Sequence, residues 1–232
     1  MTSIPTTGTA AVNPAPSSAG EHRPDPLASA PPGLRSRLGA ACLPGLFLVM
    51  IIGTAIQPVD NNASSAATFR QAAGHLGSLQ VLAWLELLTG ALCIAGILTL
   101  TGAIRSRGAG WATAAGVLGI LAGLGQAVIS LNHFVVVGLA TTNLTAGQRV
   151  ASLDAFHHAG GPIVALFYLL ALAVPFAGVA AWRAALAPKT ILVPSLLFLL
   201  TVTIPGAGPA QYIPLVVGVV LGGWLAKAIV QR

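Results

Sequence analysis

Polar residues thin out after position 37, and six apolar segments then follow one another: 38–57, 79–102, 111–131, 161–182, 190–204 and 210–230. Within them, runs such as 163–173 are continuously apolar. That pattern predicts helices, because a membrane barrel shows alternating strands of about ten residues. A helix needs about 20 residues to cross a hydrocarbon core of about 30 Å. The fifth segment is the shortest and reaches that length only by continuing through Pro205 to Gly208. The expected fold is therefore all-α: a polytopic transmembrane bundle of six helices over residues 38–232.

The two long connections on one side, 58–78 and 141–160, also carry helical signals. Thr145 and Gln148 have the spacing of a capping box, and Val150, Leu153 and Phe156 recur at helical intervals behind them. Phe69, Ala72, Ala73 and Leu76 recur similarly in the first connection. Each stretch is expected to form a short helix that lies on the outer leaflet or caps the bundle. Residues 1–37 differ from all of this. They hold seven of the 16 prolines among many Ser, Thr and Ala residues, which predicts a disordered cytoplasmic tail. No secretory signal is read there, since no apolar run directly follows a basic start.

Composition sharpens the solvent assignment. Of the 232 residues 55% are hydrophobic and 7% charged, and the mean hydropathy is +0.85. Soluble domains carry about 25% charged residues, so a soluble enzyme is excluded. The expected location is the cell membrane, with multiple passes and the lipid bilayer as first partner; nothing points to nucleic acid or to a cofactor. Six spans place Arg23, Arg35, Arg37, Arg105, Arg107, Arg183, Lys189, Lys227 and Arg232 on one side and only Arg70 and Arg149 on the other. The positive-inside rule then puts both termini in the cytoplasm. Trp111, Trp182 and Trp224 fall together at the inner interface, as an aromatic belt does. The excess of Arg over Lys, with abundant Ala and Gly, fits a G- and C-rich, bacterial coding sequence.

Glu86 is the formal charge deepest in a span, about 10 Å below the outer end of the second segment. A carboxyl in hydrocarbon favours its protonated, hydrogen-bond-donating form and can exchange that proton. It serves either as part of a proton or substrate pathway or as a polar link between helices. The third segment carries Ala112, Gly116, Gly119, Gly123, Gln126, Ser130 and His133 at steps of four and three, all on one helix face. Its small residues predict a packing seam, and its polar outer half is expected to bring Gln126 against Glu86. Gly218 and Gly222 repeat the small-residue spacing on the last segment, where they predict tight packing or dimerisation. Pro175 predicts a kink in the fourth. Cys42 and Cys93 lie within spans and are expected to be packing residues.

His75, His133, His157 and His158 fall near the outer boundary with Asp60 and Asp154. Asp154 and His158, four apart, share a helix face, so His75, Asp154, His157 and His158 are candidate metal ligands, although no His-Glu-x-x-His is present. Two facing histidines would be needed for a haem, and here they lie too near the boundary. Tyr168 and Tyr212 are expected to anchor the outer interface.

The stretch AATFRQAAGHLGSLQVLAWLELLTGALCIAGILTL, with its Phe69–Arg70 pair, the acidic Glu86 inside a span and the basic turn at Arg105 and Arg107, resembles an uncharacterised family of six-helix bacterial membrane proteins, a domain of unknown function. The resemblance extends over residues 38–200 and implies six helices. It transfers no catalytic residue. Three functions fit the chain: an accessory protein that binds a membrane partner or a second copy of itself through the glycine seam, a proton-coupled transporter with Glu86 as carrier and Gln126, Ser130 and His133 along the path, and a membrane-embedded metal hydrolase using the outer histidines. No catalytic constellation is evident.

Overall fold

A computed structural model describes residues 33–60, 63–105, 107–202 and 208–231. The predicted tail falls almost wholly outside these residues. Gly33, following the Pro31–Pro32 pair, caps α1 (Leu34–Ile56), so this helix starts four residues before the expected boundary and takes in Arg35 and Arg37. There follow α2 (Ser65–Ala72), α3 (Leu76–Ala103), α4 (Ala109–Ala140), α5 (Ala146–Val164), α6 (Leu170–Arg183), α7 (Leu192–Val202) and α8 (Tyr212–Val230). Three short 3-10 segments, Ala165–Leu169, Lys189–Ile191 and Gly208–Gln211, precede α6, α7 and α8. No strand occurs among the described residues.

Five helical runs are long and apolar enough to cross a membrane: Leu34–Ile56, Leu76–Ala103, Ala109–Ala140, Ala146–Arg183 and Pro209–Val230. The run Lys189–Val202 is apolar but shorter. At the rises of α and 3-10 helices it covers about 22 Å, short of a full crossing by itself. Residues 203–207, on which the expected extension depended, are outside the described set. The outward faces fit lipid. Val81, Trp84, Leu98, Val193, Leu196, Val216 and Val220 are each more than half exposed, and an apolar surface of this extent is stable only in an apolar solvent.

The packing order closes on itself. Helix α1 packs on α3, α3 on α4, α4 on α6, α6 on α7, α7 on α8, and α8 back on α1. Short connections make sequence neighbours antiparallel. At the end where α1 begins and α8 finishes, Leu43, Ile97, Leu100, Ala180, Leu221 and Leu225 form one core layer. A middle layer holds Leu46, Phe47, Cys93, Leu170, Phe198 and Leu215, with the Phe47 and Phe198 rings edge-on at 5.5 Å. At the opposite end Val59, Ala72, Leu79, Val136 and Leu153 form a third.

That third layer is the cap anticipated from the two long connections. Ser64 caps α2 by accepting from the Ala67 N–H. Thr145 and Gln148 form both bonds of the capping box that starts α5. Helix α2 packs on α4 and α5, and the Ser65 hydroxyl donates to Asp154. Helix α2 is thus a short helix over the bundle, whereas α5 is the first part of the 38-residue run Ala146–Arg183 and not a separate short helix.

The glycines of the seam admit neighbours rather than leaving space. A methyl on Gly116 would lie 2.9 Å from Thr101 Cγ2, one on Gly119 would lie 2.9 Å from Ile97 Cγ1, and one on Gly123 would lie 2.7 Å from Ile94 Cγ1 and 2.9 Å from the Gly90 carbonyl. These positions seat α3 against α4 in the manner of small-residue helix contacts. Gly218 faces the Phe47 ring and Gly222 the Leu43–Pro44 backbone, so both are occupied by α1 of the same chain.

Pro175 sits within α6, but the departure from α geometry lies upstream, at Ala165–Leu169. At the other end of α6, Ala185 takes a left-handed conformation (φ 55°), and the Leu186 N–H reaches back to the Ala181 carbonyl at 2.9 Å. This helix ending normally carries glycine, since a Cβ there costs about 1 kcal/mol. Ala185→Gly is therefore expected to stabilise the protein by up to about 1 kcal/mol. Thermal unfolding in detergent checks this, and an unchanged or lowered midpoint would refute it.

Candidate functional site

Between the middle layer and the cap lies a cavity of about 620 Å³. Its walls come from α1, α3, α4, α5, the Ala165–Leu169 segment and the start of α8. Met50, Leu82, Leu85, Ile129, Val164 and Leu215 make much of the lining apolar. Among them stand Thr54, Glu86, Thr89, Gln126 and Asn132, and the exposed His157, Tyr168 and Gln211. A space of this size and mixed character holds a small organic molecule.

Glu86 occupies the centre of the arrangement. It lies ten residues inside α3, about 15 Å along the helix from Leu76. Its side chain, 16% exposed, reaches the cavity on one side. Behind it, His133 Nδ1 stands 2.8 Å from Glu86 Oε2. When the carboxyl is ionised, the ring N–H donates to it; when it is protonated, its O–H donates to the ring nitrogen of the other tautomer. Either way, one proton lies between the two groups. His133 is 8% exposed and does not line the cavity, so Glu86 separates it from the solute space.

Two expectations are corrected here. Glu86 bonds His133, not Gln126, and His133 lies inside the bundle rather than at its boundary. The reason is helix length: α4 runs to Ala140, nine residues past the predicted end, which moves the whole polar half of its seam inward. Gln126 then sits beside Gly90, a turn deeper than Glu86. Ser130 does not line the cavity. It is fully buried, and its hydroxyl donates to the Ala83 carbonyl at 2.7 Å, linking α4 to α3 beside the Glu86–His133 pair.

Gln126 is 6% exposed, yet its Oε1 is enclosed without a hydrogen-bond partner. Such orphaned acceptors are rare because each costs about 1–3 kcal/mol. Gln126 also lines the cavity. The oxygen itself is shut off from solvent, so it is other atoms of the side chain that face that space.

The four candidate metal ligands are not brought together. Asp154 accepts from Ser65, His157 Nε2 lies 2.9 Å from Asn132 Oδ1, and His75 and His158 are exposed on separate helices. No three of His, Cys, Asp and Glu gather around a common point among the described residues. The Asp154–His158 spacing puts them on one face of α5, but the cap turns Asp154 toward α2. Thr54, Thr89, Asn132 and Gln211 were not singled out from the sequence. They are ordinary polar residues near helix ends or in apolar runs, and only the convergence of separate elements makes them one surface.

No family model matches the chain, and no curated protein or solved structure does either.

Proposed function

We propose that this is a multi-pass protein of the cytoplasmic membrane that moves a small solute in exchange with, or together with, protons, using Glu86 as the proton-carrying group. The observation that carries the reading is the two-sided environment of Glu86: a solute-sized cavity in front and the His133 ring behind. Intramembrane carboxyls that face a cavity are placed to bind protons or substrate. The phenylalanine-rich middle layer closes the bundle below the cavity, so the structure corresponds to a state accessible from one end.

Six crossings with both termini inside suit this reading. The packing of α7 between α6 and α8 supports a sixth crossing, and six crossings leave only Arg70 and Arg149 among the cations outside. The cavity then faces the exterior. A role in binding a membrane partner draws less support, because the glycines that prompted it face helices of the same chain.

An infrared pH-step experiment on the protein in lipid tests the reading, with Glu86→Gln as the control that assigns the band. The expected result is a carboxyl band that changes reversibly with bulk pH in the wild type and is missing from Glu86→Gln, together with loss of proton-coupled flux in the variant. A Glu86 band insensitive to pH wherever the protein stays folded would make this carboxyl a helix link only.

A further inference from the structure

The formal charge on the cavity wall is of one sign, while the neutral Thr54, Tyr168 and Gln211 can both donate and accept. Neither lysine nor arginine contributes to the wall, and the formal charge present is the Glu86 carboxyl. His133 holds Oε2, which leaves Oε1 for whatever enters. Thr89 adds a second acceptor: its hydroxyl proton is given to the Leu85 carbonyl at 2.9 Å, so toward the cavity its oxygen can only accept. Asn132 Oδ1 is taken by His157 Nε2.

We propose that the ligand of this cavity is an organic amine, bound as its ammonium with N–H donors directed at Glu86 and Thr89 and with an apolar body against Met50, Leu82, Ile129 and Leu215. This rests on the reading of the cavity as a solute site and names the solute's class. An ammonium brings three donors and the charge opposite to that of the Glu86 carboxylate. An anion meets Glu86 with no cation to offset it, and a neutral alcohol lacks the charge that Glu86 would pair with. The amine and the transported proton then occupy the same carboxyl in turn, so each displaces the other. The titratable groups facing Glu86 are His133 from α4 and, across the cavity, His157 from α5 and Tyr168 from the 3-10 segment.

The test uses the full chain in lipid nanodiscs and three probes of one shape: 2-phenylethylamine, 2-phenylethanol and phenylacetate. Calorimetric titration is expected to show the amine binding about tenfold or more tighter than the alcohol, with no binding of the carboxylate, because a hydrogen bond to a charged group exceeds one between neutral groups. Glu86→Gln should erase the preference for amine over alcohol. Glu86→Asp guards against a variant that merely misfolds: it keeps the carboxylate and should keep the preference for amine over alcohol at an affinity lowered several-fold, which a purely structural glutamate would not give. Equal binding of amine and alcohol, preference for the carboxylate, or no binding by any probe each overturns the amine assignment. The infrared pH response of Glu86 decides the proton-pathway reading separately, whichever probe binds.

Discussion

Gly222→Ala is expected to destabilise the bundle by about 3 kcal/mol, while Gly223→Ala, one residue along the same helix, is expected to be neutral or slightly stabilising. A Cβ at Gly222 would stand 2.7 Å from the Leu43 carbonyl oxygen and 2.8 Å from the Pro44 nitrogen. Both obstacles are backbone, and neither can swing aside as a side chain would. Relief requires α8 to withdraw from α1, which opens the contact that closes the ring of helices. Gly223 meets nothing within 4 Å, so there the usual helical advantage of alanine over glycine remains. Denaturant or thermal unfolding of the two variants side by side removes lipid and detergent effects common to both. Equal stability would show that the α1–α8 contact yields more readily than its geometry implies.

The second large effect concerns the polar pair. His133→Ala takes the only hydrogen-bond partner found for Glu86 among the described residues and leaves a carboxyl facing a hole in the α3–α4 seam. Removing one member of a buried pair costs about 3–5 kcal/mol when the other stays charged. Here the cavity gives Glu86 access to a proton from solvent, so about 2 kcal/mol is the expected loss. Replacing both residues by leucine should restore most of the stability, since the pair brings a desolvation cost that apolar packing avoids. The double-mutant cycle is expected to give a coupling of about 1–3 kcal/mol. Additive single effects would mean that the two groups do not depend on each other. The leucine pair should nonetheless be inactive in flux, which separates the pair's contribution to folding from its contribution to function.

What the sequence reveals depends on whether a feature is carried by one helix or by several. The seam of α4 is legible because its seven residues share a single face by periodicity alone, and all seven are buried. The capping box at Thr145 and Gln148 is local and equally legible. The partner of Glu86 is different, because depth in a neighbouring helix depends on where that helix ends. Asn132 and His133 interrupt the apolar run after Leu131, yet α4 continues through them into the apolar stretch 134–140. Two polar residues in a row mark an interruption of the hydropathy pattern, not the end of the helix. The cavity lay further from reach, since Thr54, Glu86, Gln126, His157 and Gln211 come from five elements whose mutual register is set by glycines at Gly90, Gly123 and Gly125.

The five 3-10 residues between α5 and α6 turn about 20° further per residue than an α-helix would, so they add about 100° of rotation to the 38-residue run that contains them. In an unbroken α-helix Leu153 and Leu170 would point about 100° apart. With the added rotation they share one azimuth, and both are buried, one under the cap and the other in the middle layer. The segment acts as a phase adjuster that lets one continuous rod serve two cores. Its side chains already serve the middle layer, through Phe167 and Leu169, and the cavity, through Tyr168, and its length is as constrained: losing a single residue there would swing one core's anchor onto the lipid face.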